Sequence, residues 1–231
     1  MVATVTKRGR EFRIEGALSD SDFWSSQYST WEDLNFAKYD ELLTPGCVFV
    51  DIGGWNGCTA IYCAQLCSRV VTVECDPHAL CLLRQHVALN ARNVTVVAKA
   101  VKGCGQADKA CFVGRNVPNC GRLGDSMSQT RSESVYDDDV LVESVSLGQV
   151  LRMAGEPVGC VKVDIEGGEE DLLAELLEYR GAPVMLSLHL HWWRDRNLSR
   201  FRLPEFLREA MEAYPFGTFL LRGGDSWERV S

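Results

Sequence analysis

The chain has no run of about 18 apolar residues, and its first eight residues carry no apolar signal core. A membrane-spanning helix and a secretory leader are therefore not expected. No Cys-x-x-Cys pair occurs among the ten cysteines. Most of them sit inside apolar runs, as Cys63, Cys67 and Cys160 do, which suits free buried thiols in a reducing cytosol. A zinc site built on Cys58, Cys63 and Cys67 is the sharper alternative, and no metal is expected. Proline is scarce, seven residues against twenty glycines, and no internal repeat or low-complexity tract is present. Disorder and repeat architectures are thereby excluded. Basic charge is also in deficit. The formal net charge of −8 argues against a dedicated nucleic-acid binder and leaves a local basic patch open.

What is present is 231 residues, 46% of them hydrophobic, enough for one sizeable core. Residues 47–52, Cys-Val-Phe-Val-Asp-Ile, form an apolar run that suits a strand buried on both faces. A glycine turn and a helical stretch from Cys58 to Leu66 follow. A second strand runs from Arg69 to Glu74, and Asp76-Pro77 reads as a helix cap with proline at the first helical position. A helix carrying Leu80, Leu83 and Val87, and a strand from Val94 to Ala98, come next. Residues 103–146 interrupt this rhythm and read as an inserted hairpin with loops. A helix near Leu147–Met153, a strand Cys160–Ile165, a helix at 169–179 and a strand Pro183–His189 resume it. A helix over 203–214 and two short strands, Thr218–Leu221 and Trp227–Val230, end the chain. Such alternation predicts an α/β fold: a seven-stranded, mostly parallel, Rossmann-like sheet with helices on both faces. Residues 1–46 read as an aromatic-rich helical extension and possible lid on a domain spanning 47–231. Ligands of such sheets bind beyond the carboxyl ends of the strands, at the switch point.

Two features mark that edge. Asp51-Ile52-Gly53-Gly54-Trp55-Asn56-Gly57 turns from the first strand into a helix, and its glycines let the backbone approach a ligand closely. The spacing is not Gly-x-Gly-x-x-Gly, and no P-loop lysine follows. Asp51 repels a pyrophosphate and suits a cation, such as a sulfonium with an amino-acid tail. About 20 residues on, Glu74 ends the second strand where a ribose diol can donate two hydrogen bonds to it.

With both features in place, the chain resembles the FkbM family of class I methyltransferases. The likeness is carried by Phe49–Gly57, by Val71–Pro77 with Leu89–Val97, and by Val161-Lys162-Val163-Asp164-Ile165-Glu166-Gly167-Gly168-Glu169. It covers about residues 47–191. The resemblance implies S-adenosylmethionine as cofactor and O-methylation of a hydroxyl on a sugar, natural product or similar small acceptor. The cofactor-binding residues expected on this basis are Asp51, Gly53, Gly54, Trp55, Asn56, Gly57, Glu74, Cys75, Asp76, Ala100, Val101 and Asp164. The chain departs from the family twice. Trp55 stands where asparagine is usual, and Ser187 stands two positions before the fifth-strand histidine, where an acid is frequent.

Asp164, Glu166 and His189 are the catalytic candidates. Strand alternation sends Lys162, Asp164 and Glu166 to one face, and a lysine there is costly unless paired with an acid. His189 is the expected proton acceptor, since an unperturbed histidine is mostly neutral near pH 7. Asp164 would orient the acceptor or the cofactor's amino group, and Glu166 would support the loop at Gly167-Gly168. A divalent metal on Asp164 and His189 is an alternative. His191 shares the face of His189. Past it, Trp192 and Trp193 with Arg194, Arg196, Arg200 and Arg202 read either as a solvated loop or as a pocket for an anionic acceptor. The flank holding Trp24, Tyr28 and Trp31 has helical spacing and packs on the domain or lids the pocket. RNA methylation, a non-catalytic cofactor-binding subunit and a nicotinamide-dependent oxidoreductase remain as rivals.

Overall fold

The computed structural model of the chain describes residues 2–15, 23–107, 109, 111–114, 128–155, 157–189, 216–222 and 226–231. Its centre is a seven-stranded sheet. Five strands are parallel: β3 (Val48–Ile52), β4 (Arg69–Glu74), β5 (Val94–Ala98), β11 (Val158–Val163) and β12 (Val184–His189). Two antiparallel strands, β13 (Phe216–Leu221) and β14 (Trp227–Arg229), complete one edge. The order is β14-β13-β12-β11-β3-β4-β5. The chain thus winds outward from β3 to β5 and then returns to the other side of β3. The switch point lies between β3 and β11, as the sequence predicts for the ligand edge.

Alternation along the central strands divides the core into two layers. Val48, Val50 and Ile52 pack on one face with Leu147 and Val150 of α4 (Leu147–Ala154) and Leu172, Leu173 and Leu176 of α5 (Glu169–Glu178). Phe49 points the other way, to Phe36 and Tyr39 of α1 (Asp33–Leu42) and Ile61 and Tyr62 of α2 (Cys58–Cys63). Helices therefore cover both faces, as expected. The Asp76-Pro77 start also forms as read: the Asp76 carboxylate accepts from the amides of His78 (2.8 Å) and Ala79 (3.3 Å) at the head of α3 (Pro77–Asn90).

Three expectations need correction. The N-terminal extension is not helical at its start. Strands β1 (Val2–Lys7) and β2 (Arg10–Glu15) form an antiparallel hairpin. Arg8 (φ 47) and Gly9 (φ 77) make its two-residue turn, the combination of two positive φ values that matches hairpin twist. Trp24, Tyr28 and Trp31 do not share one helix either. A π-helical turn at Phe23–Gln27 gives way to turns, and Glu32 sits left-handed (φ 49) just before α1. A side chain in that region cannot continue a helix, so Trp31 is cut off from α1; Trp24 and Tyr28 touch along the π-helical turn (4.7 Å between ring centroids), while Trp31 lies against Phe23 (5.3 Å). The strand expected at Cys160–Ile165 ends at Val163, because the chain turns at once into a loop with Glu166 at φ 53.

The insertion is richer than a hairpin. Strands β7 (Cys111–Gly114), β8 (Gln129–Arg131) and β9 (Val140–Val142) form a separate antiparallel sheet with β7 in the middle. Strand β10 (Ser144–Ser146) then pairs in parallel with β6 (Ala100–Lys102). The helix expected over 203–214 lies outside the described residues.

Candidate active site

A cavity of about 320 Å³ opens at the carboxyl edge of the sheet, at the switch point. Gly53, Gly54 and Trp55 form its floor; Glu74, Cys75 and Asp76 form one side; Ala100 and Val101, then Asp164, Ile165 and Glu166, close the rest. Ser128 and Thr130 enter from the inserted sheet, and Trp31 and Glu32 from the N-terminal segment. Of these four, sequence reasoning placed only Trp31, on the flank read as packing on the domain or lidding the pocket; it did not nominate Glu32, Ser128 or Thr130. Their proximity depends on tertiary contacts that no local pattern announces.

The glycine turn is held by its neighbours. The amides of Gly53 and Gly54 both donate to the Val73 carbonyl at 3.0 Å. A Cβ on Gly53 would stand 1.8 Å from the carbonyl oxygen of Asp164, and Gly53 itself has φ +89, so only glycine fits this junction of β3 and β11. Trp55 takes φ 43, a conformation in which asparagine is far better tolerated. Its ring packs on Phe23 (4.9 Å between centroids) and faces Trp31 (6.3 Å).

Glu74 does more than the sequence implies. Its carboxylate accepts from the amides of Trp55 (2.8 Å), Cys75 (2.7 Å) and Asp76 (2.8 Å). A carboxylate offers about four lone-pair positions, so one remains for a ligand rather than the two expected. Burial raises its pKa, and the three amides offset part of that rise. Asp76 caps α3 and also accepts from the Ser128 hydroxyl at 2.6 Å, which ties the inserted sheet to the cavity wall.

Asp51, Asn56 and Gly57, all expected at the cofactor, do not line the cavity. Asp51 is fully buried; it accepts from the Thr72 hydroxyl (2.9 Å) and pairs with Lys162 at 3.4 Å. Its charge answers a lysine on the neighbouring strand, not a ligand. Asn56 is buried: its side-chain oxygen accepts from Cys58 N (3.1 Å) and its carbonyl meets His86 Nδ1 at 2.7 Å. Burial lowers the pKa of His86, so the ring is neutral and supports the turn as a donor. Gly57 (φ 88) is the N-cap residue just before α2.

Lys162 does line the cavity. Its ammonium donates to the Gly53 carbonyl (2.9 Å) and lies 3.6 Å from Asp164. Burial alone would lower its pKa, yet Asp51 and Asp164 overcome that and the net shift is upward. Asp51 is itself pushed up by burial and drawn back by Lys162 and Thr72. The direction that governs is a charged lysine shared by two carboxylates.

Asp164 and Glu166 both reach the cavity, but the support expected of Glu166 for the next loop comes from Glu169. That side chain is fully buried and accepts from the amides of Ile165 (2.7 Å) and Gly167 (2.8 Å). The final residue of the Asp-Ile-Glu-Gly-Gly-Glu signature was the available signal. Ser187 is buried at 3.3 Å from the Thr218 hydroxyl. The backbone of His189 ends β12; its side chain, His191 and the arginines at 194, 196, 200 and 202 lie outside the described residues. Among the described residues, no three His, Cys, Asp or Glu side chains gather as a metal site, and no helix is long and apolar enough to cross a membrane.

Among the described residues, five carboxylates (Glu32, Glu74, Asp76, Asp164, Glu166) and two lysines (Lys99, Lys162) line the cavity. This formal excess of three negative charges favours a cationic ligand and opposes a pyrophosphate. Glu74 keeps a position for a hydroxyl, and the volume lies within the range of cofactor sites. The residues therefore fit a sulfonium carrying an adenosine and an amino-acid tail.

No family model and no curated protein sequence matches the chain. Similar solved structures include a Streptococcus mutans protein assigned as a methyltransferase, in complex with S-adenosylhomocysteine (11% identity, 77% of this chain and 80% of that chain, TM-score 0.45). Another is an rRNA methylase of Streptococcus thermophilus (12%, 79% and 78%, 0.43). A third is precorrin-6y C5,15-methyltransferase of Geobacter metallireducens (17%, 77% and 66%, 0.39). At these identities and scores, any reading of function rests on the cavity itself.

Proposed function

We propose that the chain is an S-adenosylmethionine-dependent methyltransferase, of the FkbM type, that O-methylates a hydroxyl of a small acceptor. One observation carries this reading: an acidic cavity at the switch point, between the glycine turn and a strand-end glutamate with one acceptor position to spare. When bound, the sulfonium supplies a methyl group already activated for transfer. The protein's task is the acceptor, whose hydroxyl is a poor nucleophile until its proton has a destination. A base within hydrogen-bond reach contributes roughly 10²–10⁴-fold.

Strands β11 and β12 run parallel, with Val163 opposite Leu186, so Asp164 and His189 both belong to the carboxyl edge that bears the cavity. His189 takes the proton in this reading, and Asp164, already drawn toward Lys162, orients the acceptor. Arg194, Arg196, Arg200 and Arg202 would meet an anionic part of it. The test is ligand choice. S-adenosylhomocysteine at a hundredfold excess over its Kd should raise the melting temperature by about 5–10 °C. NAD and NADP should leave it unchanged, and a shift with NAD alone would overturn the proposal.

A further inference from the structure

We propose that the inserted sheet of β7, β8 and β9 is a flap on the cavity, latched by Ser128 and Gln129, and that the cofactor enters and leaves when it lifts. The cofactor part of this inference rests on reading the cavity as an S-adenosylmethionine site. The sheet is a body of its own. Cys111 and Val113 of β7 are buried, yet among the described residues none of β7, β8 or β9 belongs to either layer of the core. It is held together internally instead. Strand β7 pairs with β8 on one side and with β9 on the other. Asp139, whose side chain has no exposed surface, pairs with Arg131 at 3.2 Å and accepts from the amides of Val135 (2.7 Å) and Tyr136 (3.0 Å). A Cβ on Gly114 would stand 1.7 Å from that carboxylate, so β7 and the Asp139 turn are in direct contact. A sheet tied together in this way can shift as a unit and leave the core closed.

Its grip on the cavity is polar and comes from one strand. Ser128 and Thr130 both line the cavity. Ser128 Oγ donates to Asp76 Oδ2 at 2.6 Å, just beyond the end of β4. Gln129 Nε2 donates to the Glu166 carbonyl, in the loop after β11. Strands β4 and β11 flank β3 in the sheet, so two adjacent residues bridge the cavity from one side of β3 to the other. Lys102 Nζ adds a third tie, to the Thr130 hydroxyl and to Asp171 of α5, both at 3.3 Å. The Gln129 latch also shapes the site. Glu166 and Gly167 have φ values of 53 and 99, and the peptide between them is held at both ends, its carbonyl by Gln129 and its amide by Glu169 at 2.8 Å. Glu166 itself lines the cavity. Lifting the flap therefore opens the wall and releases one end of a strained peptide in the same movement. Side-chain hydrogen bonds such as these exchange readily with water, as the latches of a gate must.

Two readouts on the full chain test this, one with ligand and one without. A ligand that passes only through a sparsely populated open form enters and leaves in proportion to that population. Stopped-flow tryptophan fluorescence with S-adenosylhomocysteine should therefore show association and dissociation rising together, with Kd within about threefold of wild type. Ser128→Ala, which removes a hydrogen bond to a carboxylate, should raise both rate constants about 10–100-fold; Gln129→Met, which keeps length and loses the donor, about 2–10-fold. A change confined to one rate constant, or no change in either, overturns the flap and makes these residues ordinary wall contacts. Without ligand, N-ethylmaleimide should modify Cys75, which lines the cavity, faster in S128A and Q129M than in wild type, while Cys81, exposed on α3, keeps its rate. Unchanged labelling of Cys75 also overturns the flap. Should S128A fail to fold, Q129M carries both readouts. Faster labelling of Cys75 in a chain that binds no S-adenosylhomocysteine keeps the flap and overturns the cofactor reading alone.

Discussion

Two lysines are buried in this molecule, and they are buried differently. Lys7, in the N-terminal hairpin, has no exposed side-chain surface; its carboxylate partner Asp33 is 47% exposed. It is completed by two backbone carbonyls and lies 4.6 Å from the centre of the Phe36 ring. Lys162, in the sheet, shares two carboxylates that are 0% and 17% exposed. Burial lowers the pKa of Lys7, and Asp33 only partly restores it, whereas Lys162 moves upward. Dipoles and one solvated acid hold a charge in place; two desolvated acids make it indispensable.

Lys162→Met should therefore have the larger effect. It strands Asp51 and Asp164, and removing one partner of a buried pair costs about 3–5 kcal/mol, to be read from urea unfolding. Adding Asp51→Asn to K162M should recover part of that loss, and a double variant no better than K162M would show that the pair does not act as a unit. Lys7→Met should cost less, roughly 1–3 kcal/mol, since Asp33 can turn to water and only the carbonyls of Ser29 and Trp31 lose a donor. Equal losses in K7M and K162M would erase the distinction.

The smallest expected effect is the sharpest. A lysine whose folded pKa lies below 10.5 binds fewer protons folded than unfolded. Its burial penalty is full below the folded pKa and fades as pH rises toward 10.5. A lysine whose folded pKa lies above 10.5 stabilises fully below that pH and loses its contribution above it. Unfolding midpoints taken from pH 7 to 11 should show the wild-type advantage over K7M growing and then levelling. The advantage over K162M should stay level and then fall. Curves of the same slope would contradict the opposed shifts.

The sheet was legible because its strands are apolar runs with abrupt ends: Val48–Ile52, Arg69–Glu74 and Val184–His189 depart little from expectation. Lys162 was legible as a charge requiring an acid. Which acid was not, since Asp51 reads alike whether it faces a ligand or a lysine across the strand. Glu74 was placed correctly at the strand end, yet its three amide bonds depend on the path of the Cys75–Asp76 turn. The hairpin escaped notice although Phe12 and Ile14 alternate with Glu11 and Arg13, because those two are its only strongly buried apolar residues and the buried residue of the facing strand is a lysine, Lys7. Glu32 had no sequence signal, since its place in the cavity wall comes from a left-handed turn held by Lys7 through the Trp31 carbonyl and by Asn35.

The pairing of β3 with β11 also imposes a timetable. Gly53 and Lys162 are 109 positions apart. At roughly 5–20 residues per second of synthesis, about 5–20 s separate the emergence of the glycine turn from that of its lysine. During that interval β3 can pair with β4, and β4 with β5, but the other edge of β3 is bare, and a bare edge is a template for foreign strands. Asp51, destined for complete burial, has no counter-charge yet and has reason to stay hydrated. The carboxylate that completes the centre of the sheet thus delays its closure until the second half of the chain arrives, and a nascent chain halted before Lys162 holds the turn without the means to seal it.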